Sequence, residues 1–162
     1  MAAPAIRILE TLVLKGPNFW SYRPSVWMRI DLGPFRDRPT SSIPGFEERL
    51  VELMPSLEDH HCSEGRKGGF LSRVRDGTWL GHVAEHVAIE AQNLVDIPVS
   101  FGRTRETKAP GVYNLVYEME EERVGVRAGK LALDVVEWCA GEDLSLELAE
   151  RRFNLLITDL CL

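Results

Sequence analysis

All four histidines of this 162-residue chain fall between positions 60 and 86, and two of them, His82 and His86, frame an H-x-x-E-H pattern with Glu85. Side chains four apart on a helix share a face, so both imidazoles can reach one point in space. A zinc ion takes such a pair as two of three protein ligands and keeps its fourth position open for water. Glu85 lies beside that face, where a carboxylate can take a proton from the water; the order is that of the inverted zincins. Composition alone predicts roughly 0.01 chance occurrences of the pattern. We therefore expect His82 and His86 as metal ligands and Glu85 as a general base. The third ligand stays open. Glu90 lies one turn beyond His86 but two turns from His82, and His60, His61, Cys62 and Glu64 form a pool just ahead of the helix. The competing reading is a helix whose histidines only make hydrogen bonds within a polar interface.

Other marked residues carry less chemistry. Gly65-Arg66-Lys67-Gly68-Gly69 has the composition of a phosphate cradle but no Lys-Ser or Lys-Thr at the spacing a P-loop needs, so it reads as a flexible turn. No GxGxxG is present, and Ser63 and Ser72 have no nucleophile-elbow context. Cations gather mid-chain (Arg66, Lys67, Arg73, Arg75, Arg103, Arg105, Lys108), while acids crowd the last third, from Glu118 to Glu150. Two such patches suit either plain solvation or a partner carrying both signs. Phe19, Trp20, Tyr22 and Trp27 are expected in a core or an interface, since no basic stripe accompanies them.

The elements that must position these residues follow from pattern. Strands are expected over 6–15 and 26–32, with a proline-rich loop over 33–44 and a helix opening near Pro44. A turn at 62–69 leads to a short helix over 70–75 that stops at Gly77. Thr78 can cap the helix that carries the histidines, expected over 79–95. Strands at 99–104 and 112–119, a long helix at 120–138 and a short one at 145–152 complete the chain. Strands and helices mix without a βαβ alternation, which predicts a single α+β domain over 1–162 with a small mixed or antiparallel sheet.

Composition then excludes several classes. With 44% hydrophobic and 27% charged residues a true core can form. A net charge of −6 argues against nucleic acid as the partner. No apolar run approaches the ~20 residues of a membrane span. Residues 1–7 lack a charged region followed by an apolar one, and Cys62, Cys139 and Cys161 are odd in number. A reducing, cytoplasmic location is the expectation. The apolar run over 155–162, without a polar fade-out, leads us to expect that this is the front domain of something longer.

Six segments now point to one family: Lys15-Gly-Pro-Asn-Phe-Trp-Ser, Ile43-Pro-Gly-Phe, His61-Cys-Ser-Glu-Gly, Gly68-Gly-Phe-Leu, Gly81-His-Val-Ala-Glu-His-Val-Ala-Ile-Glu and Phe101-Gly-Arg-Thr-Arg-Glu-Thr. In this order they resemble the N-terminal domain of the cyanophycin synthetase family. The resemblance implies a cytoplasmic homo-oligomer that makes cyanophycin, a poly-aspartate bearing arginine on each side chain. It implies ATP-grasp and Mur-ligase-like domains downstream, which alone would use ATP and Mg²⁺, and a front domain that holds the growing polymer. On that reading Arg66, Lys67, Arg73, Arg103 and Arg105 are the expected polymer contacts. The alternative is a zinc-dependent endopeptidase at His82, Glu85 and His86 that cuts the polymer to give primers.

Overall fold

Alternation of Val26, Met28 and Ile30 with Trp27 and Arg29 does produce a strand, and the rest of the fold is arranged around it in a computed structural model that describes residues 4–62, 65–141 and 145–162. β1 (Arg7–Leu14) and β2 (Ser25–Asp31) form one antiparallel hairpin, and β3 (Gly102–Glu106) and β4 (Val112–Glu118) form another. β4 also pairs antiparallel with β2, giving the order β1-β2-β4-β3. The α+β expectation holds, with a sheet that is antiparallel throughout.

Period-two alternation gives the sheet one apolar face. Val26, Met28 and Ile30 of β2 and Leu115 and Tyr117 of β4 are fully buried there. Two helices cover that face side by side: α3 (Leu80–Asn93) over β3 and β4, and α4 (Glu122–Ala140) over β2 and β1. Each fully buried side chain of this size contributes roughly 1.5–3 kcal/mol. The Tyr117 hydroxyl, buried with them, donates to the Gly125 carbonyl at 2.8 Å, so the phenol keeps its hydrogen bond. α1 (Phe46–Leu53) packs on α4, α2 (Gly69–Asp76) packs on α1, and α5 (Leu146–Leu160) packs on α4 and α1. Among the described residues no helix is long and apolar enough to cross a membrane.

Several boundaries move, each for a local reason. Thr78 does not cap α3: its N–H donates to Thr40 Oγ1 at 3.0 Å, and its own hydroxyl turns to His82. The third strand begins at Gly102, not at Val99, whose N–H is held by Asn93 Oδ1 at 3.0 Å while its side chain is buried. The last helix runs on to Leu160, because Ala149, Phe153 and Leu160 keep helical spacing on its buried side. The loop over 33–44 contains two short 3₁₀ turns, Gly33–Phe35 and Thr40–Ser42. Of the four early aromatics, Trp27 is buried and Trp20 half-buried, whereas Phe19 and Tyr22 are each 92% exposed.

Candidate functional site

α3 has an unusual interior. Its buried residues include Glu85, His86 and Glu90 as well as Val83, Ala84 and Val87. Buried ionisable groups require partners, and three neighbouring elements supply them: the segment ahead of α2, α2 itself and the edge strand β3.

His82 is held on both nitrogens. Thr78 Oγ1 lies 3.0 Å from its Nδ1, and Cys62 Sγ lies 3.4 Å from its Nε2. His86 Nδ1 lies 3.0 Å from His60 Nδ1, and the other nitrogen of His60 bonds to the Glu90 carboxylate. The Glu90 oxygen can only accept, so His60 presents Nε2–H to it. With a single proton on that ring, His60 Nδ1 accepts from His86 Nδ1–H and leaves His86 Nε2 with its lone pair. Phe70 closes one side, stacked on the His86 ring at 4.0 Å and 14° and edge-on to His82 at 5.7 Å.

One thiol and two imidazoles thus converge: the ligand atoms of Cys62, His82 and His86 all lie within 4.8 Å of one another. Sulfur and imidazole donors in this number suit Zn²⁺ with a further position open. Of the expected pool for a third ligand, Cys62 is the member that joins the two helix histidines. His60 and Glu90 bond to each other, one shell further out, and His61 is exposed. Glu64 lies outside the described residues.

Glu85 lies beside the His82–His86 face, on the flank of α3 that turns toward β3. Thr104 Oγ1 donates to its Oε2. Gly102 leaves room for it, since a Cβ there would fall 2.7 Å from the Glu85 Cγ and Oε1. Burial pushes the Glu85 carboxyl up to about 7, against the pull of the Thr104 hydrogen bond. Burial, helped by the Arg73 guanidinium, pushes His82 down to about 4. Burial also pushes His86 down, with His82 and His60 adding to it. For Glu90 burial acts upward, but hydrogen bonds led by the one from His60 outweigh it and hold the carboxyl below its usual range. Both helix histidines are therefore neutral at neutral pH, the form a metal requires.

These groups form the wall of a cleft of about 910 Å³. Arg73 and Arg103 line it, as do Asp59 and the rings of Trp79 and Tyr113. The remaining expected cations lie elsewhere. Lys67 pairs with Asp59 at 2.8 Å on the turn before α2, Arg66 lies beside it on the same turn, and Arg105 is exposed two residues along β3 from Arg103. Among the described residues none of the acidic last third lines the cleft, whose carboxylates come from α3 and the segment ahead of it. Sequence reasoning missed Thr104, Trp79 and Tyr113. The signal for Thr104 was present, because Gly102 and Thr104 are the small residues of one strand face while Arg103 and Arg105 occupy the other.

Residues 27–140 match the family described as the cyanophycin synthase-like N-terminal domain. Over 130 residues, 79% of this chain, the sequence is 52% identical to a cyanophycin synthetase of Crocosphaera subtropica. Over the same share it is 53% identical to the one from Synechocystis sp. and 49% to the one from Geminocystis herdmanii. The chain spans about 15% of the length of these curated relatives.

Proposed function

Because this chain belongs to the cyanophycin synthase-like N-terminal domain family, we propose that it binds arginine-decorated poly-aspartate and presents it to the ligase domains of a longer, oligomeric, ATP-dependent synthetase. One observation carries the reading. A single cleft brings Arg73 and Arg103 together with Asp59, Glu85 and Glu90 and with two aromatic rings. Each polymer side chain ends in both a carboxylate and a guanidinium. The carboxylate meets the two arginines in charge-assisted hydrogen bonds, and the guanidinium meets the acids or stacks on Trp79 and Tyr113. Exposed charges are screened over about 8–10 Å at physiological salt, so binding should weaken between about 50 and about 500 mM NaCl. Reversing Arg103 and Arg105 to Glu should lower affinity for isolated cyanophycin by about tenfold or more, equivalent to about 1.4 kcal/mol, with the melting temperature unchanged. Equal affinity at both salt concentrations and in the reversed variant would remove the reading.

A second reading has its own support: the Cys62, His82 and His86 donors converge on the wall of the same cleft, within reach of the groups that would hold the polymer. Zinc, when bound, would supply Lewis acidity there. Glu85 is a proton acceptor whose affinity suits neutral pH, oriented by Thr104 and given space by Gly102. Phe70 and the His60–Glu90 pair keep the two imidazoles in place. Such a site would cut the polymer internally and release short chains from which synthesis can start.

A further inference from the structure

We propose that the loop joining β1 to β2 is a second grip on the same polymer, a rigid finger that stacks guanidinium groups on Phe19 and Tyr22 and pairs carboxylates with Lys15 and Arg23. This rests on the polymer-holding reading. Phe19 and Tyr22 are each 92% exposed, although the fold has a core that could take large rings.

The loop is nevertheless fixed. Asn18 Oδ1 accepts from the N–H groups of Trp20 and Ser21, both at 2.9 Å. Its Nδ2 donates to the Arg23 carbonyl at 3.2 Å and to that of Lys15 at 3.5 Å, and its own N–H donates to the Ser21 carbonyl at 2.8 Å. At Gly16 the two ends of the loop touch: a Cβ would fall 2.6 Å from the Arg23 carbonyl carbon and 2.7 Å from the Tyr22 oxygen. The Trp20 ring braces Phe19 edge-on at 5.2 Å. Rings held out by a pre-formed backbone bind without the entropy loss of ordering a mobile loop.

Charge selects the ligand. In a chain of net charge −6, residues 11–30 contain no acid, whereas Lys15, Arg23 and Arg29 are cationic. Aromatic faces attract guanidinium, and lysine and arginine attract carboxylate, so the ligand that satisfies both carries both. The described residues make this contact internally, with Arg29 over Trp27 at 5.0 Å and Arg103 over Phe101 at 5.6 Å.

Position links the finger to the cleft. The Phe101 carbonyl accepts from Glu118 N–H and the Pro24 carbonyl from Met119 N–H, each at 3.0 Å. The base of the finger and the rim of the cleft are thus tied to consecutive residues at the end of β4. β2 and β3 flank that strand, which sets them about 10 Å apart. A chain with regularly repeating side chains can lie in the cleft, pass Arg103 and reach the finger.

Two separated grips make a length test possible. Binding to long cyanophycin and to a two-unit aspartyl-arginine fragment is measured by calorimetry for the parent, Phe19→Ala/Tyr22→Ala, Phe19→Leu/Tyr22→Leu, Lys15→Ser/Arg23→Ser and Arg103→Glu. Losing one of two linked contacts should weaken the long polymer about tenfold or more while leaving the short fragment unaffected. The leucine pair keeps apolar bulk without a ring face, so it should lose as much as the alanine pair. Arg103→Glu should weaken both ligands. If the three loop variants bind long polymer like the parent while Arg103→Glu does not, the finger is overturned and the cleft reading survives. If Arg103→Glu is also silent, the cleft reading fails as well. A loop variant that changes the sedimentation mass but not polymer affinity would show that the finger contacts a second copy instead, and would equally overturn the proposal.

Discussion

α3 and α4 lie against each other and against the same sheet face, yet their interiors are built from different chemistry. The buried side of α4 consists of Val, Leu, Ala, Gly and Cys, from Val124 to Ala140. The buried side of α3 alternates such residues with Glu85, His86, Glu90 and Gln92. Both helices exclude water, but only α3 does so around groups that water would otherwise solvate. The difference teaches what each is for. α4 is a packing element whose neighbours need only fill space, whereas α3 commits Thr78, Thr104, His60 and Cys62 to satisfying its polar atoms. That commitment is worthwhile only if the polar atoms do something.

The largest expected effect tests that purpose. His82→Ala or His86→Ala should abolish zinc retention, measured as metal per protein after dialysis, and with it any cleavage of cyanophycin. Glu85→Gln should keep the zinc and lose the cleavage, because an amide accepts the Thr104 hydrogen bond but not a proton. A parent without stoichiometric zinc after purification in zinc-supplemented buffer, and without cleavage, would leave α3 a structural helix and end the hydrolytic reading.

A reciprocal change in α4 comes next. Leu131→Ala opens a cavity in the packed layer and should lower stability by about 2–5 kcal/mol in denaturant titration. Zinc affinity of the folded protein should be unchanged. A fall in affinity comparable to that of a ligand variant would mean that the two helices are not separable in this way.

The third effect is smaller and depends on pH. Glu85 has its folded value raised from the ordinary 4.5 to about 7. Its contribution to stability is therefore fully present below pH 4.5 and is lost as pH rises through 7. His82, lowered from 6.5 to about 4, contributes above 6.5 and loses that contribution as pH falls through 4. In metal-free protein the stability advantage of Glu85→Gln over the parent should grow between pH 5 and 7.5. A constant difference across that window would place the Glu85 proton elsewhere.

At the small end stands the exposed Arg151–Glu147 pair of α5, 3.4 Å apart with both side chains more than 70% exposed. Glu147→Ala should leave the melting temperature within error of the parent. A clear drop would show that the outer helices, too, depend on their polar groups.

Sequence periodicity exposed the frame of this comparison and half of its content. The strands over β2 and β4, the glycine stop after α2 and the position of α3 were all legible, because each depends on spacing within one segment. Ser145, expected as the first residue of the last helix, instead caps α5 by accepting from Leu148 N–H. The His82–Glu85–His86 face was legible as a face, since helical geometry fixes it. What lay hidden were partners from other segments. Nothing local to Thr104 says that its hydroxyl meets Glu85, and nothing near His60 says that it bridges His86 and Glu90. Val99 shows the opposite failure: a β-branched residue that reads as strand is buried by tertiary packing just outside the ladder.

Gly102 against Glu85 has a further consequence, for how the edge of the sheet keeps its frame. β3 is paired on one side only, and its register runs from Gly102 opposite Tyr117 to Glu106 opposite Tyr113. Strand slippage by one residue inverts every side chain. Here a slip would drive the Arg103 side chain into the space that Gly102 leaves for the carboxylate, and would turn Thr104 out to solvent. The carboxylate acts as a key that fits one frame of the strand alone, so the same contact that holds Glu85 also proofreads the folding of the strand beside it.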